Sequence, residues 1–132
     1  MDKQITILDL LLLPVDKNRL VEQIAPWPHQ QLYFSYYDYS HPIHVFTKEE
    51  VPLEEQQILL LTGIADAQSI KDFLIGKVEV VEHLEYKDHH PYSSKDVEKI
   101  IVAWEEVKSS EKLILTTEKD AVRLQEFKEE LQ

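Results

Sequence analysis

The stretch Ile58-Leu59-Leu60-Leu61-Thr62-Gly63 decides the fold class of this chain of 132 residues. Four consecutive apolar residues before a Thr-Gly turn are typical of a strand that is covered on both faces. Asp66 follows the turn and can cap a helix, which Gly76 is expected to end. The stretch therefore predicts a buried strand followed by a helix, which is the basic unit of an α/β fold.

Two further strand–helix units follow along the chain. Residues 78–84 predict a second strand, and Ser93 is expected to start the next helix with Asp96 as its capping-box partner. Residues 112–115 predict a third strand, followed by a last helix that Thr117 can cap. Three such units in succession predict an α/β fold with a mostly parallel sheet and flanking helices, in three α/β/α layers.

The first part of the chain has a different pattern. The apolar run at residues 5–13 fits either a strand or a helix, and Asp16 can cap a short helix after it. Residues 32–39 and 43–46 predict two strands that are joined by a turn. We therefore expect a β-hairpin linker before the α/β part.

A charged connector without periodicity, residues 48–55, separates the two patterns. We place the boundary within it. Residues 1–50 are predicted to form an N-terminal segment with a short helix and the hairpin linker, and residues 51–132 an α/β C-terminal subdomain. Because 43% of the residues are hydrophobic, the chain has enough apolar material for a buried core.

The composition excludes several classes of function. Asp and Glu number 25 against 14 Lys and Arg, a net charge of −11, so no nucleic-acid partner is expected. No apolar run approaches the ~20 residues of a membrane-spanning helix, and no leader pattern opens the sequence, so we expect a cytoplasmic protein. The absence of cysteine rules out disulfides, thiolate nucleophiles and zinc–sulfur sites.

Glycine usage argues against a nucleotide-binding loop in this sequence. The two glycines, Gly63 and Gly76, stand 13 residues apart, and Gly76-Lys77 is followed by Val78. A P-loop needs two glycines five positions apart, followed by Lys and a hydroxyl residue. Neither this pattern nor G-x-G-x-x-G occurs, so we predict that the chain alone binds no nucleotide phosphate through such a loop.

The loops after the three predicted strands hold the candidate functional residues. In open α/β sheets, ligands bind beyond the carboxyl ends of the strands, and parallel strands place these ends at one edge. The three loops are Thr62 to Asp66, Asp88 to Pro91, and Thr116 to Asp120. Gly63 allows a ligand or another backbone to approach closely, and the helix N-termini offer N–H groups to a phosphate oxygen.

Among these loops, Asp88-His89-His90 is the cluster of side chains that most strongly indicates a function. A carboxylate beside an imidazole can orient it and raise its basicity, as acid–base catalysis requires. The same residues also fit a polar loop without a catalytic role. Because adjacent residues cannot all point one way, and because Asp-x-Asp is absent from the chain, neither a metal site nor a metal-dependent phosphoesterase is favoured.

The loop at residues 116–120 also allows two interpretations. Its hydroxyl, carboxylate and ammonium groups can line a cleft, and they belong to Thr116, Thr117, Glu118, Lys119 and Asp120. Alternatively, Thr117 caps a helix, the two acidic residues complement its dipole and Lys119 is solvated. We expect no site role for the remaining histidines, His29, His41, His44 and His83.

Three segments in this order resemble the C-terminal part of the tetraacyldisaccharide 4'-kinase family. They are Ile58-Leu-Leu-Leu-Thr-Gly-Ile-Ala65, Tyr86-Lys-Asp-His-His-Pro-Tyr-Ser93 and Ile114-Leu-Thr-Thr-Glu-Lys-Asp-Ala-Val-Arg-Leu124. Gln31-Leu-Tyr-Phe-Ser35 is also similar to the segment that leads into the family's linker hairpin. The resemblance covers roughly residues 14 to 125 and is specific chiefly through the Thr-Glu-Lys-Asp-Ala-Val run.

The resemblance implies a lipid kinase that uses ATP and Mg²⁺ to phosphorylate the lipid A disaccharide precursor at the inner face of the bacterial inner membrane. It places the family's active-site histidine on His89, beside Asp88, where it works with an aspartate of the N-terminal domain near the 4'-hydroxyl. Gly63 and the loop at 116–120 would shape the same cleft. Direct participation of Lys119 or Asp120 is a further hypothesis.

The family is more than twice as long as this chain, and its P-loop lies upstream of the matched segments. The resemblance therefore implies a C-terminal domain that depends on the P-loop domain of the same kinase as its partner. We expect the chain alone to be inactive and to bind neither ATP nor Mg²⁺. The alternatives are a non-catalytic binding module of the same fold and, more distantly, a metal-dependent phosphohydrolase.

Overall fold

The computed structural model describes residues 5–8, 14–35 and 38–132. The chain divides into two compact units, Met1–Ser40 and His41–Gln132. The boundary predicted between residues 50 and 51 separates two subdomains, and it stays a prediction. Among the described residues, no helix is long and apolar enough to cross a membrane.

The first unit contains a two-stranded parallel sheet. Strand β1 (Ile5–Leu8) pairs with β2 (Leu32–Ser35), and helix α1 (Pro14–Ile24) lies between them in the chain. The apolar run thus begins as a strand, whereas residues 9–13 lie outside the described part. Helix α1 begins before the predicted cap at Asp16, because proline is well suited to the first position of a helix.

The parallel pairing of β2 replaces the predicted hairpin linker. Within the described residues, 43–46 form no strand, and Ile43 makes only an isolated antiparallel bridge to Glu50. The chain turns there instead, because the His44 ring accepts hydrogen bonds from the backbone N–H groups of Phe46 and Thr47. Part of the predicted strand at 32–39, residues 36 and 37, lies outside the described residues.

The second unit confirms the predicted α/β fold. Strands β3 (Gln57–Thr62), β4 (Glu79–Glu85) and β5 (Lys112–Thr116) form a parallel sheet in the order β4-β3-β5. Residues 58–62 of the central strand are all buried, which agrees with their continuous apolar pattern. At the carboxyl end of β3, Leu61 lies opposite Thr116 and Thr62 opposite Glu85.

Four helices accompany this sheet: α2 (Gln68–Leu74), α3 (Ser94–Glu106), α4 (Glu118–Leu124) and α5 (Lys128–Leu131). The predicted capping box of α3 is present, with Ser93 N–H donating to Asp96 Oδ2. The predicted last helix is interrupted, because residues 125–127 form a 3₁₀ turn between α4 and α5. Crossovers β3–α2–β4 and β4–α3–β5 run in opposite directions across the sheet, so right-handed connections place α2 and α3 on opposite faces.

One part of the core lies at the carboxyl end of the central strand. Buried side chains of β3, the loop after β4, α3 and α4 meet in one cluster of Leu61, Tyr92, Ile100 and Leu124. Leu84, Tyr86, Phe127 and Leu131 pack against it. The same packing that stabilises the unit therefore fixes the loops at this end of the sheet.

Candidate active site

The strand order produces a switch point at the carboxyl edge of the sheet. Helix α2 follows β3, and right-handed crossovers place it on the face opposite to α3, with which the α4 helix after β5 shares a core cluster. The loops after the adjacent strands β3 and β5 thus lead to opposite faces. Such a switch point is where ligands bind in open α/β sheets.

The three predicted loops meet at Gly63. Its N–H donates to Asp120 Oδ2 at 3.0 Å, and its carbonyl oxygen accepts from the backbone N–H of His89 at 3.1 Å. Arg123 Nη1 donates to the same carbonyl oxygen at 3.1 Å. Thr116 Oγ1 donates to the carbonyl oxygen of Leu61 at 2.8 Å, which joins the third loop to the central strand. One residue thereby connects the loops after β3, β4 and β5.

Glycine is required at position 63 because another side chain fills the adjacent space. A Cβ atom there would lie 2.8 Å from Asp120 Oδ1 and 3.1 Å from the hydroxyl oxygen of Tyr92. The predicted close approach at Gly63 is therefore made by a carboxylate of the same chain.

Asp120 is the centre of a buried polar group of residues that we call the Asp120 cluster. Its other members are Gly63, Tyr92, Thr117 and Arg123. The Asp120 carboxylate has no exposed surface, and it accepts hydrogen bonds from all four. A buried carboxylate is stable only when it is paired in this way, so the cluster fixes the loops and gives a substrate no access to Asp120.

The environment of the cluster also changes the acidity of Tyr92. Burial raises the pKa of Tyr92 well above its ordinary value, and the charge of Asp120 and the hydrogen bond to it raise this pKa further. Arg123 opposes the effect only in part. Tyr92 therefore stays protonated at neutral pH and donates to Asp120 Oδ1 at 3.0 Å.

His89 lies at the outer rim of this arrangement. Its Nδ1 is 2.9 Å from Asp88 Oδ1, and 75% of its side chain is exposed. An Nδ1–H that donates to a carboxylate leaves Nε2 as the basic nitrogen. The backbone of His89 has a φ of 57°, in the left-handed region that non-glycine residues rarely adopt. Such conformations cluster at functional sites.

The side chain of His90 points away from that of His89 and packs within the domain. Its Nε2 lies 3.1 Å from Asp96 Oδ2, and its ring stacks on Tyr86 with centroids 4.5 Å apart. Burial alone would raise the pKa of Asp96, but hydrogen bonds from Ser93 and His90 outweigh this and hold the pKa below its usual range. His89 and His90 thus diverge, and the described part of the chain contains no group of three or more potential ligands arranged around a metal ion.

The remaining predicted residues lie at the start of α4. Thr117 accepts a hydrogen bond from Asp120 N–H, which confirms that it caps this helix. Glu118 and Lys119 occupy the first turn of α4 and are exposed. Of the loop at 116–120, these two side chains are the ones that an incoming ligand can reach most easily.

A comparison with known proteins identifies the family of the chain. Residues 3–132 match the family described as tetraacyldisaccharide-1-P 4'-kinase. The chain belongs to this kinase family. The match extends beyond residues 14–125, over which the sequence segments resemble the family, and includes nearly all of the first unit.

Curated relatives from several bacterial genera are similar to this chain. The tetraacyldisaccharide 4'-kinase of Bacteroides thetaiotaomicron is 37% identical in a 123-residue alignment covering 84% of this chain and 32% of the relative. That of Flavobacterium johnsoniae is 36% identical over 103 residues, covering 75% of this chain and 28% of the relative. The chain therefore spans about a third of the length of these relatives. No solved structure matches it significantly.

Two members of the Asp120 cluster, Tyr92 and Arg123, were not among the predicted site residues. Arg123 lies within the segment that resembles the 4'-kinase family, and it follows Asp120 by three positions on α4. This spacing places an acidic and a basic side chain next to each other on a helix, which is a signal that the sequence does contain. Tyr92 has no comparable signal, because its contact with Asp120 joins separate elements.

His83 is a second ionisable group near the carboxyl edge. Its Nε2 lies 2.8 Å from Oγ1 of the fully buried Thr62, and its Nδ1 lies 4.0 Å from Glu85 Oε2. Burial lowers the pKa of His83 below 6.5, and the charge of Lys71 lowers it further, while Glu85 opposes the shift. His83 is therefore neutral at neutral pH.

We expect His83 to make the chain less stable in mild acid. The pKa of His83 is lower in the folded state, so below about pH 6.5 the unfolded state binds more protons. The free energy of unfolding should decrease as the pH falls from 6.5 through the lowered pKa. Urea unfolding of the His83→Gln variant should show a weaker decrease over this range than the parent chain. The His41→Gln variant, which changes an exposed histidine, serves as control; an equal decrease in all three proteins would contradict the expectation.

Proposed function

We propose that this chain is the C-terminal domain of a tetraacyldisaccharide 4'-kinase. The complete enzyme would transfer the γ-phosphate of ATP to the 4'-hydroxyl of the tetraacyldisaccharide 1-phosphate precursor of lipid A. One observation supports this role above all: the exposed Asp88–His89 pair is tied through the His89 backbone to Gly63, at the edge of the sheet where ligands bind. The similarity to curated 4'-kinases supports phosphoryl transfer as the chemistry that the pair would serve.

The proposed role of His89 is to accept the proton of the 4'-hydroxyl. Asp88 would orient the imidazole through Nδ1 and stabilise the positive charge that develops when Nε2 takes up the proton. Phosphoryl transfer depends mainly on positioning and charge stabilisation, so one wall of a cleft with a well-placed base is a sufficient contribution from one domain. Gly63, Thr116 and Thr117 would hold the loops of this wall in position through their hydrogen bonds.

The residues of this chain do not fit the nucleotide or the metal ion. The sequence has no G-x-x-x-x-G-K-[ST] pattern, and the most centrally placed carboxylate, Asp120, is already occupied by four hydrogen-bond donors. We therefore assign ATP and Mg²⁺ to the partner, the N-terminal P-loop domain of the same kinase. Glu118 and Lys119 would face the cleft between the two domains.

The proposed location is the cytoplasmic surface of the inner membrane, with peripheral attachment. A net charge of −11 disfavours direct contact with an anionic lipid surface. The contacts with the membrane and with the acyl chains would therefore come from other parts of the complete kinase, and this chain would act at the sugar.

A chimeric kinase tests the proposal. This chain replaces the matching third of the Bacteroides thetaiotaomicron 4'-kinase, and ATP-dependent phosphorylation of tetraacyldisaccharide 1-phosphate is measured. We expect activity in the chimera and none in this chain alone or in the truncated relative. The truncated relative is the control for activity that does not need this domain.

Three outcomes would contradict the proposal or part of it. A folded chimera without transfer activity would favour a non-catalytic binding module of the same fold. Hydrolysis of a generic phosphodiester by this chain alone with added Mn²⁺ would favour a metal-dependent phosphohydrolase. Transfer activity in this chain alone would contradict the assignment of ATP and Mg²⁺ to the partner domain.

A further inference from the structure

We propose that Arg123 is a positioning residue for His89. This inference rests on the proposed function, in which His89 is the base. Arg123 does not contact the His89 side chain; it acts through the carbonyl oxygen of Gly63, which accepts hydrogen bonds from both Arg123 Nη1 and the His89 N–H at 3.1 Å.

His89 needs such support because its own surroundings offer little. Its side chain is exposed and its backbone is left-handed, a conformation that costs a non-glycine residue free energy. Two backbone hydrogen bonds nevertheless join this loop to the end of the central strand and the residue after it. Tyr86 N–H donates to the carbonyl oxygen of Thr62 at 2.7 Å, and His89 N–H donates to that of Gly63. The second hydrogen bond is the one that orients residue 89 itself.

The orientation of Gly63 is determined in turn by α4. Asp120 accepts from the Gly63 N–H, and Arg123 donates to the Gly63 carbonyl oxygen, so two side chains of one helix hold both backbone polar groups of this residue. Arg123 also donates to Asp120 Oδ1 at 3.1 Å, which keeps its guanidinium in place. Since a glycine backbone is intrinsically permissive, these contacts define the direction of its carbonyl group.

Arg123 is a partly exposed member of the Asp120 cluster, and its replacement leaves Asp120 without its cation, a cost in stability that the exchange measurement subtracts. Its side chain is 22% exposed, whereas Asp120 is fully buried. In the Arg123→Met variant the apolar stem remains, and Asp120 keeps its hydrogen bonds from Gly63, Tyr92 and Thr117. The Arg123→Lys variant retains the charge but not the planar guanidinium.

The first experiment measures amide hydrogen exchange in this chain. We expect exchange at His89 N–H to become about five-fold faster in Arg123→Met than in the parent, once the change in global stability is subtracted. Exchange at Leu60 N–H, in the buried central strand, should follow global stability alone. The Lys99→Met variant removes an exposed charge from α3 and should leave His89 unchanged. Unchanged relative exchange at His89 in Arg123→Met would overturn the inference.

The second experiment uses the chimeric kinase. Arg123→Met should lower kcat about tenfold with little change in KM for the disaccharide, and Arg123→Lys should fall between this variant and the parent. If Arg123 acts through His89, the Arg123→Met change should have no further effect in a His89→Ala background. A full additional loss in that background would show that Arg123 acts independently and would overturn the inference.

The two experiments separate failure of the inference from failure of the proposed function. An inactive chimera would contradict the proposed function, and the exchange measurement would still decide whether Arg123 orients residue 89. An active chimera whose kcat depends on His89 but not on Arg123 would overturn the inference alone.

Discussion

The His89→Ala variant of the active chimeric kinase is expected to turn over at least ~10²-fold more slowly than the parent, because a general base contributes that much to a proton-coupled step. The expected loss is in kcat, since His89 would act on the 4'-hydroxyl in the transition state. The measurement is phosphate transfer from ATP at saturating disaccharide.

A matched variant separates the proton-accepting role from general damage. His41→Ala removes another exposed histidine of this chain, outside the loops at the carboxyl edge, and should leave kcat unchanged. His89→Gln retains polarity without a titratable nitrogen, so it should be as slow as His89→Ala. An unchanged rate in either His89 variant would remove this residue from the mechanism.

The Asp120→Ala variant is expected to lose ~3–5 kcal/mol in the free energy of unfolding, the typical cost of removing one partner of a buried ion pair. The Arg123 guanidinium and the Tyr92 hydroxyl would lose the carboxylate that they share, and Gly63 N–H would lose its acceptor. Because small domains are stable by only about 5–15 kcal/mol, this loss would be a large part of the total stability. Urea unfolding followed by circular dichroism measures the effect.

Asp72→Ala is the matched control for this measurement. Asp72 is an exposed aspartate in α2 that accepts one hydrogen bond from the side chain of Gln68, so its removal should change stability by about 0.5 kcal/mol or less. Asp120→Asn keeps the shape and part of the hydrogen bonding, and should lie between the two. A loss in Asp120→Ala no larger than in Asp72→Ala would contradict the central role of Asp120 in the fold.

The sheet of the second unit could be predicted because its signals are local. A strand that is buried on both faces must be apolar along its length, as in residues 58–61, and the capping box of α3 is readable from Ser93 and Asp96. The partner of β2 could not be predicted. Its aromatic residues indicate a strand, but they do not show whether its partner is a neighbouring hairpin strand or β1, with which it pairs in parallel.

The position of the site could be predicted from the sequence, but its hydrogen-bond network could not. The rule that loops of parallel strands share an edge accounts for the meeting of residues 63, 89 and 120. The burial of Asp120 could not be derived, because an acidic residue in the first turn of a helix has the same pattern when it is merely solvated. Only the approach of Gly63 and Tyr92 from other elements distinguishes the two cases.

In the part of the chain that the structure describes, no buried side-chain nitrogen or oxygen lacks a hydrogen-bond partner. The buried polar groups of the Asp120 cluster thus have hydrogen-bond partners without a bound ligand, and the surface next to the cluster is preorganised. In the proposed association with the P-loop domain, little of the binding free energy would then be lost to ordering the loops of this cluster.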